Sequence, residues 1–176
     1  MTSYNRLSRF NHWSVALLVL AMLAAGLYLE YRDLPFQDKL PLLNIHKAVG
    51  VLLFFWILWR VGYRAFQGFT DPPSTHPKWQ VTAAKLVHQV LLITLVLMPL
   101  SGLIMALYSG RPTDVFGFFS IPAIDKVELI STLARAVHKW TAYTMILALV
   151  MHIGAALKHY LIDKDQTLQR MLSTKP

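Results

Sequence analysis

The sequence predicts an all-α integral membrane protein, a four-helix bundle with both termini on the cytoplasmic side. Three observations carry that prediction. Of 176 residues, 55% are hydrophobic and only 15% charged, with a mean hydropathy of +0.44, whereas soluble domains carry about a quarter charged residues. Four apolar stretches are each long enough to cross about 30 Å of hydrocarbon at about 1.5 Å per residue. Prolines and glycines gather between these stretches. A backbone crossing lipid must satisfy its own polar groups, so the stretches are helices; barrel strands would alternate and be half as long.

The first span covers about 12–29. It follows Arg6 and Arg9 as a signal peptide's apolar region would, but no Ala-x-Ala site follows and cleavage would leave three spans, so it is expected to stay. The second span, about 45–61, lies between Pro35 and Pro41 on one side and Asp71-Pro72-Pro73 on the other. The third, about 81–108, ends before Gly110 to Pro112, and the fourth, about 133–157, follows Pro122. Residues 1–176 form one domain without an internal repeat. With the N-terminus cytoplasmic, ten Lys and Arg fall on that side and seven on the other, the positive-inside sign. The formal charge of +8 is thus a topology signal, and no nucleic-acid partner is expected. The absence of cysteine excludes disulfides, thiolate-held clusters and Cys-x-x-Cys-His haem attachment.

Ionisable residues inside spans mark function, and five of seven histidines lie in or at the mouth of one: His12, His46, His88, His138 and His152. Fourteen residues separate His138 from His152, a rotation of about 1400° and a rise of about 21 Å. The two therefore share a face of the fourth helix at two levels. His46 opens the second helix at the upper, periplasmic level, and His12 opens the first at the lower, cytoplasmic level. The expected pairs are His46 with His138 and His12 with His152. Two bis-histidine pairs are what two low-spin b-type haems need from facing helices.

Neighbours fit this scheme. Gly26 lies fourteen residues after His12 and leaves room at the upper level, and Gly50 follows His46 by one turn. Arg60 reaches the lower level and Arg135 lies one turn outside His138; each is a candidate to grip a haem propionate, and Arg60 reads equally as a snorkelling positive-inside residue. His88 is left over at the lower level. It competes with His12 as a ligand or, like His159, hydrogen-bonds a quinone carbonyl. Met145 lies midway on the His138–His152 face as packing, and Trp13, Trp59, Trp79 and Trp140 read as an interfacial belt. A non-redox histidine-bearing transporter is the rival of another class, but the spans offer no acid or thiol to hold a dication.

Several runs resemble the bacterial cytochrome b561 family: Arg9-Phe10-Asn11-His12-Trp13, His46 to Gly50, His88 with Pro99 and Gly102, His138, and Met151 to His159 followed by Asp165, Arg170 and Met171. The resemblance spans essentially the whole chain. It implies a multi-pass protein of the bacterial inner membrane with two b haems on His12, His152, His46 and His138. A stand-alone chain of this length resembles the small members that act as superoxide:ubiquinone oxidoreductases. On that reading superoxide is oxidised at the periplasmic side and ubiquinone is the acceptor. Lys126, Arg135 and Lys139 are the candidate superoxide-attracting mouth, since a local positive field concentrates an anion. The alternative is an anchor subunit relaying electrons between a dehydrogenase partner and quinone. Membrane lipid is a partner in either case, and a homodimer is left open.

Overall fold

The computed structural model describes residues 4–68 and 77–172. His76 and the Asp71-Pro72-Pro73 run lie outside these residues. Four long helices cross the molecule: α1 (Arg6–Tyr31), α2 (Phe36–Gln67), α3 (Lys78–Leu107) and α4 (Glu128–Lys158). The last continues through a π-turn (His159–Asp163), and a short α5 (Gln169–Leu172) follows. All four are long and apolar enough to span a membrane.

Local chemistry sets the ends. Asn5 caps α1 by accepting the Ser8 N–H at 2.7 Å, which satisfies one of the helix's open donors. Gly68, with φ of 69°, closes α2 and returns its N–H to the Arg64 carbonyl, a backbone geometry that glycine adopts without a Cβ penalty. Pro41, expected in a loop, instead sits inside α2. It is only the sixth residue of that helix, so its missing N–H leaves one first-turn carbonyl unpaired where water can reach it.

A second difference lies between α3 and α4, where only a loop was expected. Strands β1 (Thr113–Val115) and β2 (Phe119–Ile121) form an antiparallel hairpin with Thr113 opposite Ile121. Phe116 and Gly117 turn the chain with φ of 53° and 74°, and Asp114 accepts the Gly117 N–H at 2.9 Å. Val115 is fully buried against Ala48 and Val51 of α2. Three-residue strands carry too little alternation to register as a periodic signal.

The helices pack in sequence, α1 on α2, α2 on α3 and α3 on α4, with the hairpin on α2. The central core joins Val15, Val19 and Leu23 of α1 to Leu53 and Ile57 of α2 and Met145 of α4. Little else is inside: no more than 22% of the most apolar window of any long helix is buried. Most leucine, isoleucine and tryptophan side chains point outward, as a lipid-facing bundle requires. Trp13, Trp59, Trp79 and Trp140 are all among the exposed ones. Buried Thr94 returns its hydroxyl to the Val90 carbonyl at 2.9 Å, so the polar group stays paired in the apolar span.

Beyond the π-turn, Asp165 accepts from His159 Nδ1–H at 2.7 Å and from the Thr167 N–H at 2.8 Å. Burial acts to raise the Asp165 pKa, but the hydrogen bonds from Thr167 and His159 outweigh it and hold the carboxyl below its usual range. Trp13 Nε1–H donates to the Met171 carbonyl at 3.0 Å, which ties α5 back to α1.

Two outcomes are expected. Ile57, 1% exposed, should cost about 2–4 kcal/mol when changed to Ala, read by unfolding titration in mixed micelles, whereas Leu17→Ala at a lipid-facing position (65% exposed) should cost far less. Because the folded Asp165 pKa is depressed, its contribution is fully present above the ordinary carboxyl value of about 3.9 and is lost as pH falls through the lower folded value. Amide exchange over 159–168, corrected for intrinsic rates, should therefore stay slow from pH 7 to 5 and quicken only in strong acid. Asp165→Asn should quicken it already at pH 7.

Candidate functional site

At the upper level α2 and α4 bring His46 and His138 together, with ring centroids 6.5 Å apart. Both rings are half-buried. A Cβ built on Gly26 of α1 would lie 3.5 Å from His46 Cε1, and one on Gly102 of α3 would lie 3.1 Å from His138 Cε1. Glycine at 102 therefore lets the imidazole lie against the α3 backbone. His138 Nδ1 lies 2.9 Å from the Met98 carbonyl and 3.1 Å from Ser101 Oγ. A carbonyl only accepts, so the proton sits on Nδ1 and the Nε2 lone pair is available. His46 Nδ1, by contrast, is buried without a hydrogen-bond partner among the described residues. A Cβ built on Gly50 would lie 3.6 Å from Met22 Cε of α1.

At the lower level three helices converge. His12 of α1 and His152 of α4 have centroids 6.2 Å apart, and His88 of α3 lies 5.3 Å from His152. Arg60 Nη2 donates to His12 Nδ1 at 2.9 Å. A guanidinium only donates, so His12 here carries its proton on Nε2. Binding a metal through Nε2 requires that proton to move to Nδ1 and Arg60 to turn to another acceptor. Both Arg60 Nε and Arg9 Nε are buried without a partner among the described residues. Met145, between the two levels on α4, is 2% exposed and packed in the core.

These distances can be set against what an iron needs. With metal–imidazole bonds of about 2.0 Å on opposite sides, two ring centroids come about 6.3 Å apart. His46–His138 at 6.5 Å and His12–His152 at 6.2 Å match that spacing, while His88–His152 at 5.3 Å is too close. Glycines beside both upper rings and unpartnered guanidinium nitrogens on Arg60 and Arg9 also fit a haem with two carboxylates. The donor set is soft enough for iron and lacks the charge a free divalent ion prefers.

The remaining candidate residues distribute unevenly. Lys139 pairs with Glu30 at 2.7 Å and Lys126 with Glu128 at 3.9 Å, so two of the three mouth cations meet a carboxylate. Arg135 is exposed and makes no ion pair among the described residues. Tyr31 and Tyr143 join their hydroxyls beside the Glu30–Lys139 bridge. His159 lies at the π-turn, its Nδ1 2.7 Å from Asp165 and 3.0 Å from Asp163. The three side chains offer metal-like spacing, within 4.8 Å of one another, but the Lys158 ammonium on Asp163 at 2.7 Å already supplies the counter-charge.

Sequence reasoning missed Ser101, the Met98 carbonyl and Glu30. Ser101 had a usable signal, since Pro99 to Gly102 lies near the upper end of the third span at the depth of His138. Glu30 carries no such signal, because pairing across 109 residues leaves no mark in a single sequence.

Comparison with known proteins identifies the family. The sequence model of the family described as Prokaryotic cytochrome b561 matches residues 3–174. The chain is 35% identical over 173 residues to Cytochrome b561 homolog 2 of Escherichia coli (strain K12), covering 96% of this chain and 90% of that protein. It is 30% identical over 175 residues to Cytochrome b561 homolog 1 of the same organism, covering 98% of each. The chain belongs to the prokaryotic cytochrome b561 family and is a multi-pass inner-membrane electron-transfer protein that takes b-type haem.

Proposed function

We propose that this protein oxidises superoxide at its upper, periplasmic face and reduces ubiquinone at its lower, cytoplasmic face, using two b haems held by His46 with His138 and by His12 with His152. The observation that carries the reading is the pair of histidine couples at iron-spanning separation, on the two levels set by fourteen residues of α4. Haem, when bound, supplies reversible one-electron chemistry at each level. The net reaction takes one electron from each of two superoxide ions, releasing two dioxygen molecules, and delivers both electrons with two protons to one ubiquinone, giving the quinol.

The chain's own residues define what each end contributes. At the upper end Lys47 and Arg111 act on each other as like charges, and Arg135 stands on the same face as the paired Lys139. This leaves a locally positive mouth in which an anion is concentrated. At the lower end Arg60 is placed to exchange His12 for a carboxylate, which frees the imidazole for ligation. His159, whose Nδ1–H is donated to Asp165, is the candidate group to pass a proton to a quinone oxygen. His88, beside His152, is the second candidate contact for the quinone ring.

Haem content tests the ligand set. His12→Ala and His152→Ala should each lose the same one of two haems, and His46→Ala and His138→Ala the other, measured by pyridine haemochrome and difference spectra. Loss of the lower haem in His88→Ala with retention in His12→Ala would overturn the pairing. For the donor, an enzymatic superoxide source should reduce the purified cytochrome, and added dismutase should abolish that reduction. Reduction that persists with dismutase removes superoxide as donor and favours relay from a dehydrogenase partner.

A further inference from the structure

The upper pair is built asymmetrically. His138 is fixed by α3 through a three-centre contact, whereas His46 has a buried Nδ1 with no partner among the described residues. The geometry around His138 is fully specified. Ser101, 3% exposed, donates its hydroxyl proton to the Met98 carbonyl at 2.9 Å. Its oxygen is then free to share the His138 Nδ1–H with that same carbonyl, at 3.1 and 2.9 Å. Gly102 completes the seat, because any side chain there would press on the ring at 3.1 Å from Cε1 and 3.3 Å from Nδ1.

We infer that Ser101 and Gly102 are positioning residues for His138. Together they seat its ring on the Met98 carbonyl, fix the proton on Nδ1, and thereby set the electron affinity of the upper haem separately from that of the lower one. An N–H shared between two acceptors makes the imidazole a stronger donor to iron. Ferric iron gains more from that than ferrous iron, so the seat lowers the potential of the upper centre. His46 has no such partner and serves as the internal contrast. This inference rests on the reading of His138 as a haem ligand, and the experiment separates the two.

Ser101→Ala, Ser101→Thr, Gly102→Ala and His138→Ala are purified as full-length holoproteins, and each is examined for haem content, redox titration and low-temperature electron paramagnetic resonance. Ser101→Ala removes one acceptor, and Gly102→Ala makes the ring give by a few tenths of an ångström, lengthening its contacts to both. Each should keep two haems and favour reduction of one centre by about threefold, about 28 mV at about 59 mV per tenfold for one electron. The affected centre should be the one that His138→Ala loses, and its low-spin g values alone should move. Ser101→Thr, which keeps the hydroxyl, should restore both readouts. Loss of that haem alone in Ser101→Ala, with retention in Ser101→Thr, supports the same conclusion. Unchanged potentials and g values in fully loaded Ser101→Ala and Gly102→Ala overturn the positioning role while leaving His138 a ligand. Two retained haems in His138→Ala instead overturn the ligand reading itself.

Discussion

Everything in this molecule is organised by the scarcity of hydrogen-bond partners in hydrocarbon. A polar side chain inside a span has no water to fall back on, so each must meet another chain segment or a cofactor. The bundle's interior shows what this selects. Small hydroxyls fold back on their own helices, and Asn11 takes the Trp56 indole at 3.2 Å. The histidines, too large for either solution, face one another across the helices. Their separation is set by backbones held apart; α1 and α4 are not among the closely packed helix pairs.

The same scarcity explains which parts of the fold were legible beforehand. Helix period is fixed, so fourteen residues of α4 dictated two levels and one face, and Arg60 could be assigned to the level of His12 by counting. Length and apolarity identified the spans for the same reason. Features that depend on folding across long separations did not announce themselves. The Glu30–Lys139 bridge joins residues 109 apart in sequence. The seat beneath His138 depends on a main-chain carbonyl, which has no residue type to recognise. Pro41 misled because a proline early in a helix and one in a loop read alike, and the hairpin was too short to carry a period. Gly50, one turn past His46, lies against Met22 of α1, a contact between helices that spacing within α2 does not show.

The two ends also differ in how their charges are resolved. The upper end mixes paired and unpaired cations over a short distance, so its field is local. At the lower end Arg60 rests on an imidazole, an acceptor it would readily exchange for a carboxylate. His159 is enclosed by two acids in a stretch where the helix widens into a π-turn, a departure from regular geometry that recurs at functional positions.

The length of α2 has a consequence of its own. Thirty-two residues make a rod of about 48 Å, well beyond a hydrocarbon thickness of about 30 Å. Its first ten residues precede His46, a rise of about 15 Å, and the hairpin braces the helix just past that histidine through Val115. His46 therefore lies well inside the end of α2, next to the brace that the hairpin provides. A helix that outruns the hydrocarbon by this much takes up the excess by tilting or by extending past it at its ends.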